Sequence, residues 1–169
     1  SDLTSGIIVE TEAYSGVTDK ASHAYGGRRT KRTKIMYASG GTAYVYLCYG
    51  IHHLFNIVTN KENIPYAVLI RAIQPRDGID FILQRRKKKK IDRSLTAGPG
   101  SLTRALGIKG KDSGTLLMGN LIWLEDQNIK INNQDILASP RVGVQYARKD
   151  ANNPWRFQIK GNPWTSSAF

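Results

Sequence analysis

A single α+β domain built on an antiparallel sheet is what this sequence predicts, and three observations predict it. Runs rich in β-branched and aromatic residues recur, the clearest being Thr42 to Tyr49, and short turn segments such as Gly40-Gly41 and Asn60 to Pro65 separate them. Strands joined by connections that short lie antiparallel, because a parallel crossover needs about a dozen residues or more. The segments with the i, i+3, i+4 apolar spacing of a helix are short. The 169 residues suit one domain with a real core, residues 1–169, and no repeat, linker or low-complexity stretch divides them.

The first strand spans residues 6 to 14. Alternation puts Ile8, Glu10, Glu12 and Tyr14 on one face and Ile7, Val9, Thr11 and Ala13 on the other, which reads as the core face. Residues 15 to 34 form a polar loop whose Gly26-Gly27-Arg28-Arg29-Thr30-Lys31-Arg32 stretch is strongly basic. Thr42 to Tyr49, ended by Gly50, then Phe55 to Thr59 and Ala67 to Ile73, read as a three-stranded meander. Residues 78 to 86 are predicted helical from Ile79, Ile82 and Leu83, and lead into the cationic run Arg85 to Lys90. Residues 101 to 106 form a second short helix, with Leu102, Ala105 and Leu106 on one side and Gly107 as its stop. Strands are expected again at 121–124, 141–144 and 156–160.

Composition narrows the partners. A net charge of +12, from 25 Lys+Arg against 13 Asp+Glu, favours a polyanion: nucleic acid first, an anionic membrane surface second. No apolar stretch reaches the length of a membrane span, and no signal peptide opens the chain. One cysteine, Cys48, makes no internal disulfide and points to a reducing compartment. With three histidines, His52-His53 being adjacent, no metal site is expected.

Two carboxylates and a phenol on one face of a strand suit a pocket that needs a base beside a flat aromatic surface; the plainer alternative is a solvated strand face. Residues two apart on a strand are separated by about 6.6 Å, near the roughly 6.5–9.5 Å between the carboxyls of inverting glycosidases. Activation of water for attack at an anomeric carbon is one job for such a pair. The positive charge suggests that the sugar belongs to a nucleotide. Tyr44 and Tyr46 share a strand face and, with Tyr14 and His23, offer surfaces on which a purine can stack. Tyr49, beside Gly50 at a hairpin end, reads as a wedge into a base stack or, alternatively, as a core tyrosine. Gly98-Pro99-Gly100-Ser101 opens a helix whose N–H groups can receive a phosphate. Lys87 to Lys90 read equally as a solvated loop or a phosphate contact.

Val9-Glu10-Thr11-Glu12-Ala13-Tyr14, His23, Gly26-Gly27-Arg28, Gly41-Thr42-Ala43-Tyr44-Val45-Tyr46, Tyr49-Gly50 and Asn56 follow one another in an order that resembles the alkyladenine (3-methyladenine) DNA glycosylase family. Leu69-Ile70-Arg71-Ala72, Gly98-Pro99, Arg141-Val142-Gly143-Val144, Arg156-Phe157 and Gly161-Asn162-Pro163-Trp164 extend the likeness over nearly the whole chain. The resemblance implies that Glu12, not Glu10, is the general base, and that Arg71 and the carbonyl of Val142 help to hold the nucleophilic water. It implies that Tyr14, His23 and Tyr46 sandwich a flipped-out base, that Asn56 crowds the 2-amino group of guanine, and that Tyr49 enters the duplex. Arg28, Arg29, Gly100 and Ser101 are expected at DNA phosphates. The expected architecture is a curved, open-barrel-like antiparallel sheet with a protruding β-hairpin and short flanking helices. A family segment ahead of the VETEAY strand is not found in this sequence, and the short Lys87–Lys90 region favours a bacterial-type member.

The leading reading is a monofunctional DNA glycosylase that flips out alkylated or deaminated purines, of the 3-methyladenine type and extending to hypoxanthine and ethenoadenine, and hydrolyses the N-glycosidic bond with a Glu-activated water. It needs no cofactor. Its expected partner is double-stranded DNA containing damaged purines, with no membrane; the chain is expected to act as a monomer, in the cytoplasm at the nucleoid or, in a eukaryote, in the nucleus. A non-catalytic nucleic-acid-binding module on the same fold is the alternative, since fold alone does not exclude it; a glycoside hydrolase ranks third because of the charge. A carboxylate at position 12, which would repel phosphate, separates the first reading from the second.

Overall fold

Residues 43–75 fold as the meander their pattern predicts. The computed structural model describes residues 3–167. Strands β1 (Gly6–Tyr14), β2 (Ala43–Cys48), β3 (His52–Val58), β4 (Ala67–Pro75), β5 (Ile136–Ser139) and β6 (Arg156–Ile159) form one antiparallel sheet in the order β2-β3-β4-β1-β6-β5. Its edges, β2 and β5, do not pair with each other, so the sheet stays open. Helices α1 (Ile79–Arg86) and α2 (Pro99–Leu106) complete an α+β domain. Neither is long and apolar enough to cross a membrane.

Alternation along the meander divides two faces. Ala43, Val45, Phe55, Ile70 and Ile73 pack with Leu102, Ile108 and Leu117 under α2. Their counterparts Tyr44, Val58 and Ala67 turn the other way and pack with Ala24, Met36 and Tyr37 from the segment between β1 and β2. Truncating Leu102, fully buried, would cost about 2–5 kcal/mol, as core leucines do. A cavity of about 890 Å³ opens on the helix face among Ile8, Phe55, Ile70, Ile73 and Leu102.

The alternation of β1 is broken, contrary to the sequence reading. Ile8 pairs with Ile73 and Glu10 with Ala72, leaving Val9 without a partner; Glu10 then gives way to Thr11 opposite Ile70, leaving Arg71 without one. Such irregularities re-aim side chains. Ile8 joins the apolar face, packing on the helix-side core, while Glu10 and Glu12 stay together on the opposite face.

Two expected strands are absent among the described residues. Residues 121–124 form no strand; a lone bridge joins Met118 and Trp123 beside the turn-forming Gly119-Asn120 pair. Residues 141–144 form a loop, because Arg141 is drawn into a buried ion pair and the Val142 N–H serves a carboxylate instead of a ladder. β5 went unread: four residues, mostly exposed, carry too little pattern.

Candidate active site

Glu12 is fully buried, 0% exposed. Its Oε1 accepts the Val142 N–H at 2.8 Å and lies 3.3 Å from Arg71 Nη1; its Oε2 accepts the Tyr14 hydroxyl at 2.8 Å. A carboxylate offers about four acceptor positions, so one on Oε2 stays uncommitted. Glu10, 1% exposed, differs. Its Oε1 accepts from Arg71 Nε (2.7 Å), Arg156 Nε (2.8 Å) and Ser166 Oγ (2.8 Å), and its Oε2 from the Ser166 N–H (2.5 Å). Burial raises the Glu10 pKa, but the Ser166 N–H, Arg71 and the Ser166 hydroxyl outweigh it and hold the carboxyl below its usual value. Glu10 thus takes four donors and Glu12 three, so Glu10 is the more fully compensated anion and Glu12 the carboxylate with more capacity for a further donor.

Ladder register places the rest of the site. Arg156 pairs with Glu12, Glu12 with Leu69, Leu69 with Asn56 and Asn56 with Tyr44, one row across five strands. Directly paired residues share a face, so Glu12, Tyr44 and Asn56 all face one side.

The loop carrying Val142 is held by Arg141. Its guanidinium makes a bidentate pair with Asp19 (2.5 and 2.9 Å) and donates to the carbonyls of Ala13 (2.9 Å) and Asp150 (3.1 Å). It also lies over the rings of Tyr14 (4.7 Å) and Trp155 (5.0 Å). One face of Tyr14 is thereby covered. Burial, then the Glu12 charge and hydrogen bond, push the Tyr14 phenol well above its ordinary value, so it donates throughout the physiological range.

His23 and Tyr46 meet edge to face, centroids 4.6 Å apart, and Tyr46 lies 5.4 Å from Tyr44. His23 Nδ1 shares a 2.8 Å hydrogen bond with the Tyr44 hydroxyl, in which either group can donate. Burial, aided by the charges of Arg32 and Arg28, lowers His23 from 6.5 to about 4, so the ring is neutral at pH 7. Burial raises Tyr44 to about 12. Asn56, 4% exposed, donates from Nδ2 to the Tyr44 carbonyl at 3.1 Å, a structural bond that stands beside the expected crowding of guanine.

Tyr49 sits at the tip of the β2–β3 hairpin, 91% exposed, which removes the core-packing alternative. Tyr49 and Gly50 both have positive φ (50° and 72°), as a two-residue type I′ turn requires, and the Ile51 N–H closes it onto the Cys48 carbonyl.

The expected phosphate contacts are dispersed. Arg28 and Arg29 are exposed on the basic loop, with Arg29 stacked on Tyr37 at 4.6 Å and donating to Asn63 at 3.1 Å. Gly100 and Ser101 lie in the first turn of α2. A Cβ at Gly100 would come within 2.8 Å of the His52 ring, so glycine is required there, and Ser101 Oγ accepts from Arg86 at 3.1 Å. Arg85 and Arg86 are committed to Thr4, Ala105, Ser94, Leu95 and Ser101 and Lys88 donates to Ser94 at 2.6 Å, which leaves Lys87, Lys89 and Lys90 as the solvent-facing part of that run. Among the described residues no three His, Cys, Asp or Glu side chains gather to hold a metal.

Asp19, Arg32, Arg156 and Ser166 complete the site and were not singled out for roles from sequence. Arg32, 5.7 Å above the Tyr46 ring, lay within the basic loop already noted. Asp19 and Ser166 carry no local signal, since their partners are 122 and 156 residues away.

A buried carboxylate beside clustered aromatic rings suits a base taken out of its stack and hydrolysis of the bond that holds it, which is the chemistry of a DNA N-glycosylase. Comparison with known proteins agrees. Residues 1–163 match the family described as Methylpurine-DNA glycosylase (MPG). Proteins named "Putative 3-methyladenine DNA glycosylase" from Bacillus cereus (strain G9842) and Bacillus thuringiensis (strain Al Hakam) are each 47% identical, over 96% of this chain and 83% of theirs. One from Bacillus anthracis (strain CDC 684 / NRRL 3495) is 46% identical over the same shares. The chain belongs to the methylpurine-DNA glycosylase family. It is a DNA-repair hydrolase of N-glycosyl bonds, directed at alkylation damage.

Proposed function

We propose that this glycosylase excises 3-methyladenine-type purines from duplex DNA, and also accepts hypoxanthine and ethenoadenine, by direct hydrolysis with Glu12 as general base. The contrast between the two buried carboxylates carries the reading: Glu10 takes four donors, and Glu12 keeps an acceptor position on Oε2. Water attacks C1′ opposite the base, the C1′–N bond breaks with its electron pair going to the purine, and Glu12 takes the water's proton. Arg71 and the Val142 loop orient the carboxylate and the water. An alkylated purine that carries positive charge leaves as a neutral base, so no acid is needed for it. A neutral lesion such as hypoxanthine needs a hydrogen bond or proton at the base.

The pocket chemistry supports a cationic target. Tyr14, covered on one face by Arg141, and Tyr46 offer electron-rich faces, and cation–π attraction at a desolvated site is worth about 2 kcal/mol. A neutral His23 adds a ring without the repulsion an imidazolium would bring. Tyr49 fills the gap in the stack, with Arg28, Arg29, Gly100 and Ser101 at the phosphates. The proposed acting unit is a single chain.

Incubation with methylated duplex DNA tests the assignment against a non-catalytic module. Chromatographic release of free 3-methyladenine, leaving an abasic site and intact strands, supports it; tight binding without release refutes it.

A further inference from the structure

Arg156 stands directly opposite Glu12 in the β1–β6 ladder, yet its Nε donates to Glu10, at 2.8 Å. Arg71 behaves alike: its Nε donates to Glu10 at 2.7 Å, its Nη2 reaches Ser166 Oγ at 3.3 Å, and only Nη1 approaches Glu12, at 3.3 Å. A guanidinium is a planar fork that fits a carboxylate with two N–H groups at once. Facing Glu12 alone, either arginine would occupy both of its oxygens and hold it as a passive ion pair. Glu10 draws both arginines toward itself, and so only one oxygen of Glu12, Oε1, meets a guanidinium.

Glu10 is in turn fixed from the far end of the chain. The Ser166 N–H and Oγ both donate to it, and the Ser166 carbonyl accepts from Arg156 Nη2 (2.9 Å) and Gln158 Nε2 (3.2 Å). Trp164, two residues earlier, packs on the Ile82, Leu95 and Ala105 cluster. The anchor for Arg71 is therefore itself held by β6 and by the turn that follows it.

We propose that Glu10 is a positioning residue for base excision: by holding Arg71 and Arg156 it restricts Arg71 to a single contact with Glu12 and leaves Glu12 Oε2 to receive the water's proton. This rests on the reading of Glu12 as the base. It also explains why the strand carries two buried carboxylates where the reaction consumes the basicity of one.

The test is a double-mutant cycle on the single-turnover rate of 3-methyladenine release at saturating enzyme, with lesion-DNA Kd and Tm measured beside it. Glu10→Gln should slow release by about ten- to a hundredfold, the scale of a misplaced catalytic group, with Kd within about threefold of the parent because Glu10 touches no DNA-facing surface. In the Arg71→Gln background the same change should have little further effect. A parental rate for Glu10→Gln, or a double mutant slowed by the product of the single effects, would overturn the proposal. Should Glu10→Gln not fold, Ser166→Ala keeps both charges and removes the hydroxyl that donates to Glu10 and accepts from Arg71 and Arg156. It should slow release by about fivefold, the worth of one ordinary hydrogen bond, with a loss of only about 2–4 °C in Tm; an unchanged rate would count against the proposal. Glu12→Gln in the same assay separates the two claims. If it is inactive while the cycle is multiplicative, only the Glu10 role falls; if it is active, the base assignment falls.

Discussion

The Tyr14 hydroxyl donates to Glu12 Oε2 at 2.8 Å, joining the proposed base to the proposed stacking surface two residues away on one strand. The bond holds the carboxylate plane while Arg141 holds the ring from behind, 4.7 Å away. Tyr14→Phe keeps the stacking ring and frees the carboxylate to rotate. Hydrogen bonds to charged groups are worth about 1.5–3 kcal/mol, so base release should slow by about tenfold or more with lesion binding little changed. A faster Tyr14→Phe enzyme would show that the hydroxyl restrains Glu12 instead of orienting it.

Tyr49 holds a backbone conformation, φ 50°, that costs a side-chain-bearing residue about 1–2 kcal/mol, and its ring is 91% exposed. Tyr49→Ser should lower the flipped fraction reported by a fluorescent base analogue, with smaller loss of general DNA affinity. Tyr49→Gly should lose flipping equally and raise Tm, because glycine tolerates the turn. Unchanged flipping in both variants would exclude Tyr49 as the wedge.

The meander, both helices and the aromatic cleft were legible because local pattern decides them: Tyr44 and Tyr46 alternate with Ala43 and Val45, and Leu102, Ala105 and Leu106 recur at helical spacing. The break in β1 was not. Nothing in Val9 or Arg71 announces an unpaired position, and that break puts Ile8 on the apolar face. Arg141 to Val144 read as a strand, for apolar alternation cannot show that Arg141 finds Asp19 across 122 residues of sequence. Choosing Glu12 over Glu10 rests on resemblance, and the donor counts, four at Glu10 and three at Glu12, support the choice.

Asn56 has a structural bond and a proposed gating role, which one experiment can separate. Its Nδ2 bond to the Tyr44 carbonyl, in a nearly buried position, makes Asn56→Ser destabilising by about 0.5–1.5 kcal/mol through the lost hydrogen bond. A steric gate on the site face adds a second outcome, release of normal guanine. Lower Tm without guanine release would leave Asn56 a structural residue only.

His23 links stability to pH. The folded ring takes a proton near 4 and an unfolded one near 6.5. Between those values the unfolded state binds more protons, so the stability from the neutral ring is complete above about pH 6.5 and is lost as pH falls toward 4. Tm should drop more steeply from pH 7 to 5 in the parent than in His23→Asn. Parallel slopes would show that His23 titrates normally.

The central claim is that Glu12 takes the proton of the attacking water. Gln is nearly isosteric with Glu and cannot accept it. Single-turnover release of 3-methyladenine by Glu12→Gln, with lesion-DNA Kd measured on the same preparation, is the most direct test. The account predicts loss of at least about 100-fold in rate, the lower range of general-base effects, at a Kd within a few-fold of the parent. A Glu12→Gln enzyme that releases base at the parental rate would contradict it.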